Sequence, residues 1–102
     1  MRSLLSALFL LPVIMPAMAL AETRPAPPLP AAAAVCANCH GTDGRQQGAI
    51  PAIAGRPAAL LLDRLQQFRA DKAADATVMP RLIKGLTEDE LTVVATYFAA
   101  IR

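Results

Sequence analysis

The chain has 102 residues, 55% of them hydrophobic, with ten basic against eight acidic side chains and a formal net charge of +2. That length allows one small domain, and so balanced a charge gives no argument for nucleic acid as a partner. Two cysteines and a single histidine fall short of the four donors that close a structural zinc site.

The first segment reads as a leader rather than as fold. Met1-Arg2 is a short positive start, Leu4 to Leu11 is a mostly apolar run extended by Val13, Ile14 and Met15, and small residues close it at Ala17-Met18-Ala19 and Ala19-Leu20-Ala21. This is the layout of a secretory signal with its peptidase site, and cleavage is expected after Ala21. A retained membrane anchor fits less well, because the run from Leu4 to Ala21 contains Pro12 and Pro16 and falls short of the roughly 20 residues a spanning helix wants. The expected product is exported to the periplasm and has no membrane contact after cleavage. Losing Arg2 leaves it nine basic and eight acidic residues.

Residues 22–30 contain the string TRPAPPLP, which reads as an extended tether. The domain proper is expected over 31–102. Ala31 to Ala34 starts a helix behind Pro30, carries Cys36, Cys39 and His40, and stops at Gly41, a suitable left-handed cap. From Gly41 to Pro57 the chain has glycines at 41, 44, 48 and 55 and prolines at 51 and 57. A loop of that length in so small a domain is expected to wrap something or to serve function. Pro57 opens a second helix to about Ala70, with Leu61, Leu65 and Phe68 on one stripe and Leu62 beside them, while Asp63, Arg64, Gln66, Gln67 and Arg69 fall elsewhere. Arg81 to Gly85 has room for one short turn. The last helix is announced by Thr87 and Glu90 as a capping box, by Leu86 and Leu91 as its hydrophobic staple, and by the stripe Leu91, Val94, Ala95, Phe98, Ile101. No alternating strand pattern occurs, so the fold class is all-α.

Chemistry concentrates in "VCANCHGTDG", residues 35 to 44. On a helix, positions three and four apart share a face, so Cys36, Cys39 and His40 belong together. A zinc site, a redox dithiol and a structural disulfide are each open readings. The zinc reading lacks a second ligand pair, and the dithiol reading lacks the usual strand–helix setting. A third reading is C-x-x-C-H as a c-type haem attachment site, in which two thiols meet one haem edge and the adjacent imidazole reaches the iron. Its sixth ligand then has to be a methionine. Met1, Met15 and Met18 leave with the signal, so Met79 remains. Pro80 is expected to keep Met79 out of a helix and on a loop that can cross the cofactor. Methionine and histidine together favour a relatively high reduction potential.

The strings CANCHGTDG, IPAIAGRP at 50–57, LLDRLQQFRAD at 61–71 and ATVMPRLIKGLTEDELTVVATYF at 76–98 resemble a class I cytochrome c of bacterial type. In particular they resemble the haem subunits of flavocytochrome c sulfide dehydrogenases. The resemblance implies a cytochrome c fold of three main helices around one covalently bound haem c, held by thioethers from Cys36 and Cys39. It also implies His40 as the proximal ligand, Met79 as the distal one, and the Pro51 carbonyl accepting the His40 Nδ1–H hydrogen bond. Gly41 and Gly55 look like backbone-shape residues. The expected function is periplasmic one-electron transfer by a chain that is no enzyme on its own. Its expected partner is a redox protein, a sulfide-oxidising flavoprotein subunit in the leading reading. A free diffusing carrier is the alternative, and a secreted non-haem disulfide or zinc-binding module the remote one. With only Lys72 and Lys84 for lysines, docking by a basic ring is not expected; an apolar contact around the exposed haem edge is. Arg45, Arg56 and Arg81 are candidate partners for haem propionates or else solvated, and Tyr97 and Phe98 are expected to be packing residues.

Overall fold

A computed structural model describes residues 27–102. The expected leader and the first part of the tether lie outside them. Among the described residues the regular structure is helical throughout: α1 (Ala31–His40), α2 (Ala58–Arg69), α3 (Met79–Ile83) and α4 (Glu88–Ala100). The all-α architecture expected from the sequence is what forms: three main helices and one short one.

α1 starts with four alanines, the best helix formers. The Pro30 carbonyl accepts from the Ala33 and Ala34 N–H groups at 3.0 and 3.2 Å. Gly41 ends the helix, but not as the left-handed cap the sequence suggests. Its φ of 89 is paired with ψ of 152, so the chain leaves extended, and the His40 carbonyl is capped from the loop by the Gln46 N–H at 2.8 Å.

α2 begins behind Pro57, which needs no N–H partner of its own, and buries Leu65 and Phe68. Its C-terminus is closed by Asp71 at a φ of 55, a left-handed position that a short polar side chain tolerates. The Lys72 N–H then returns to the Gln67 carbonyl at 2.9 Å.

Met79 is the first residue of α3, not part of a loop as expected from Pro80. Proline restricts the residue before it, yet in a helix's first turn its missing N–H has no intrahelical partner to lose. The bias against helical geometry at Met79 is overridden at small cost, and Pro80 and Ile83 are buried.

α4 has the capping box in full. The Thr87 N–H donates to Glu90 Oε2 at 2.8 Å and the Glu90 N–H to Thr87 Oγ1 at 3.2 Å. Glu88, Asp89 and Glu90 fill its first turn, where the helix dipole favours negative charge. Its apolar stripe forms the centre of the core: Leu91 and Phe98 are fully buried, with Ala33 of α1 and Ile83 of α3 against them. Each such large apolar side chain contributes about 2 kcal/mol by burial. α4 thus packs on α1 and α2, and α3 packs on α2. Tyr97 is buried edge-on against Phe98, ring centroids 5.0 Å apart.

Candidate functional site

The helices leave one side of the core uncovered. A cleft of about 630 Å³ opens there, walled by Val35, Cys36, Cys39 and His40 of α1, by residues 49–53 and Arg56 of the loop, by one face of α2, and by residues 75–79 together with Leu82, Ile83 and Leu86. Its walls are mostly apolar, with Ile53, Leu61, Leu65, Phe68, Ile83 and Phe98 among them.

The loop from Gly41 to Pro57 shapes this cleft, and Gly44 is its pivot. The Gly44 N–H bonds the Gly41 carbonyl at 2.9 Å, while the Gly44 carbonyl accepts from Ile53 and Ala54 at 2.8 and 3.0 Å. Gly44 has φ of 72, and a Cβ there would lie 2.7 Å from Phe98 Cδ1 and 3.0 Å from Ile53 Cγ1. Only glycine lets the loop lie this close to the Phe98 ring. Farther along, the Gly55 N–H bonds the Phe98 carbonyl at 2.8 Å. The loop is stitched to itself and to α4, and Pro51 lies between the two fastenings.

His40 is buried at the end of α1, and its Nδ1 lies 2.6 Å from the Pro51 carbonyl oxygen. A carbonyl can only accept, so the proton sits on Nδ1. The Nε2 lone pair is then free for a metal or a proton. Cys36 is buried and Cys39 exposed, and both are free thiols. Burial pushes the Cys36 thiol up; a backbone hydrogen bond opposes part of that rise, and the neighbouring Cys39 adds the smallest contribution, also upward. Redox-active and nucleophilic cysteines need the reverse, a lowered value. The direction at Cys36 does not favour a disulfide-exchange nucleophile. Among the described residues no three His, Cys, Asp or Glu side chains gather as a metal cage.

Four of the five residues singled out by the sequence contribute side chains to the cleft (Cys36, Cys39, His40 and Met79), and Pro51 contributes its carbonyl to His40 and part of the wall. The three arginines separate. Arg56 lines the cleft. Arg45 instead donates to the Arg102 carbonyl and pairs with Asp43 at 3.2 Å, and Arg81 lies outside the wall, exposed. Arg64, which the sequence places off the apolar stripe of α2 and does not single out, is a further cleft residue. The guanidinium lies 4.7 Å over the Phe68 ring. Its position four residues before Phe68 was the available signal. The sequence shows Gly44 only as one of four loop glycines; its pivot role comes from the approach to Phe98 and Ile53.

The donor set fits a flat apolar cofactor carrying an iron: two thiols one helical turn apart, one imidazole with its lone pair fixed outward, one thioether, and apolar walls. Comparison with known proteins bears on this site. The family model described as cytochrome c matches residues 31–101. A cytochrome subunit of sulfide dehydrogenase from Chlorobaculum tepidum is 40% identical over 63 residues, covering 62% of this chain and 56% of that protein. A thiosulfate dehydrogenase electron acceptor from Thiomonas intermedia is 37% identical over 75 residues, 72% of this chain and 34% of that protein. A cytochrome c-553 from Desulfomicrobium norvegicum is 33% identical over 69 residues, 64% of this chain and 84% of that protein. The chain thus aligns with about half of the first of these relatives and a third of the second.

Proposed function

The chain belongs to the cytochrome c family of electron carriers and has the attachment spacing for one covalently bound haem c, and on that premise we propose that its domain transfers single electrons in the periplasm with His40 and Met79 as axial iron ligands. Bound haem c supplies a reversible one-electron iron couple. The chain's own residues supply the rest. Cys36 and Cys39 provide the thioether sulfurs. His40 presents Nε2, and its Nδ1–H hydrogen bond to Pro51 holds the ring in one orientation and raises its basicity as a ligand. Met79 provides a soft thioether sulfur, which favours the reduced metal. The apolar walls exclude water and keep the local dielectric low. Were His40 and Met79 both to hold the iron, the bound group would serve electron transfer rather than substrate binding.

The observation that carries this reading is the His40–Pro51 hydrogen bond at a cleft shared with two free thiols and the single methionine of residues 27–102. For the partner, we favour a sulfide-oxidising flavoprotein subunit that passes electrons to this chain; the description of the Chlorobaculum relative as a cytochrome subunit of sulfide dehydrogenase supports the sulfide-oxidising part of that reading. A free diffusing carrier is the second reading, favoured by the Desulfomicrobium relative, most of whose length the chain covers. Export with cleavage after Ala21 would place either form in the periplasm.

The test is an intact mass and a visible spectrum of the exported protein. One added macrocycle, with colour that survives acid–acetone extraction, is the expected result. A colourless product of unmodified mass refutes the proposal. Co-purification with a yellow flavoprotein distinguishes the subunit from the free carrier.

A further inference from the structure

Residues 73–78 lead from α2 to Met79, and their attachment to the rest of the fold is sparse. Their backbone hydrogen bonds stay local: Ala76 N–H to the Ala73 carbonyl at 3.2 Å, and the Val78 carbonyl to Arg81 and Leu82 of α3. Ala73 and Pro80 are buried at the two ends, whereas Ala74, Asp75, Thr77 and Val78 are exposed and Ala76 half-buried. Among the described residues, one polar cross-link ties this stretch to another element. Arg64 Nη2 of α2 donates to both oxygens of Asp75, at 2.8 and 2.6 Å.

Arg64 is held for that contact. Its Nη1 donates to Gln67 Oε1 at 3.0 Å, Gln67 Nε2 donates to Asp63 Oδ2 at 2.7 Å, and the guanidinium lies 4.7 Å over Phe68. Most surface ion pairs lose much of their Coulomb gain to the entropy of two mobile side chains. Here the arginine is already braced by a neighbouring side chain and a ring, so less ordering is left to do. The effect on Asp75 agrees: chiefly through its hydrogen bond, the Arg64 guanidinium holds the Asp75 carboxyl below the usual aspartate range. Arg64, Asp75 and Met79 all line the same cleft.

We propose that Arg64 and Asp75 form a latch that positions the Met79-bearing segment against α2, setting how firmly the thioether is held at the cofactor. Arg64 and Asp75 are positioning residues that act through Met79. The inference rests on the reading of Met79 as an iron ligand, and the test separates the two.

In the oxidised holoprotein, added imidazole competes with the thioether for iron, so its apparent affinity scales with the fraction of molecules in which Met79 has let go. Asp75→Asn and Arg64→Gln are each expected to raise that affinity about threefold, within the modest range of solvent-open ion pairs. The far-UV unfolding midpoint of each is expected to fall only modestly, as for a solvent-open ion pair. The double variant is expected to match either single one, because both remove the same contact. Arg64→Lys, which keeps the charge but loses the stacked plane, is expected to restore part of the wild-type value. The control Asp43→Asn, which breaks the pair with Arg45 outside the cleft lining, is expected to leave the imidazole affinity unchanged. If wild type shows the weak red-end sulfur–iron band and Asp75→Asn leaves imidazole affinity unchanged, the latch is wrong and the Met79 reading stands. Additive effects in the double variant also overturn the latch. A wild type without the sulfur band overturns the Met79 reading and the latch with it.

Discussion

Replacing Gly44 by alanine tests the loop that delivers Pro51 to His40. The new Cβ would sit 2.7 Å from Phe98 Cδ1 and 3.0 Å from both Phe98 Cε1 and Ile53 Cγ1. Phe98 cannot yield easily, since it is 1% exposed at the centre of the core. Overpacking of this kind costs about 1–3 kcal/mol. The φ of 72 adds about 1 kcal/mol for any L side chain, partly offset by the lower chain entropy of unfolded alanine. The expected loss is about 2–3 kcal/mol, or about 8–24 °C in Tm for a domain of this size. Gly48→Ala is the matched control. Its φ of 118 is also positive, but nothing lies within 4 Å of its Cβ, and the exposed loop around it has room to relax. Gly44→Ala should therefore be less stable than Gly48→Ala by at least about 1 kcal/mol. Guanidinium unfolding of the two holoproteins, followed by far-UV circular dichroism, measures the difference. Equal midpoints for the two variants would falsify the assignment of Gly44 as the loop's contact with the core.

Met79→Ala should abolish the weak red-end sulfur–iron band of the oxidised protein while the cofactor stays attached through Cys36 and Cys39; a band that persists unchanged rules Met79 out as ligand. Thr87→Ala removes one half of the α4 capping box and should cost about 1 kcal/mol, read as a fall of about 4–8 °C in Tm; no change would mean that the cap is redundant with packing. Because Arg64 holds the Asp75 carboxyl below its ordinary value, the pair's stabilisation is complete above that ordinary value and is lost as pH falls through the lower folded one. The gap in stability between wild type and Asp75→Asn should then be present near neutral pH and close in strong acid. A gap that stays constant across that range contradicts the sign.

The features legible in the sequence were those carried by short spacings. Cys36, Cys39 and His40 share a face because helical pitch repeats within three to four residues, and the Thr87–Glu90 box closes over three residues. The stripes of α2 and α4 likewise state which side each helix buries, so three helices and the attachment motif could be read directly. Contacts between segments far apart in the chain could not. The His40–Pro51 hydrogen bond spans eleven positions, and its closure depends on Gly44 fitting under Phe98, 54 residues later (98 − 44). Local preference also lost at Met79, where Pro80 argued for a loop and burial of Pro80 and Ile83 drew the pair into α3. Arg45 and Arg64 are chemically alike, yet one bonds the chain's last residue and the other lines the cleft. Side-chain type states what a residue can do, and the spacing along one helix states which neighbours it has there. Which of several equal arginines, carbonyls or glycines meets the cofactor site is settled when the helices pack, because burial of the shared core outweighs each local preference taken singly.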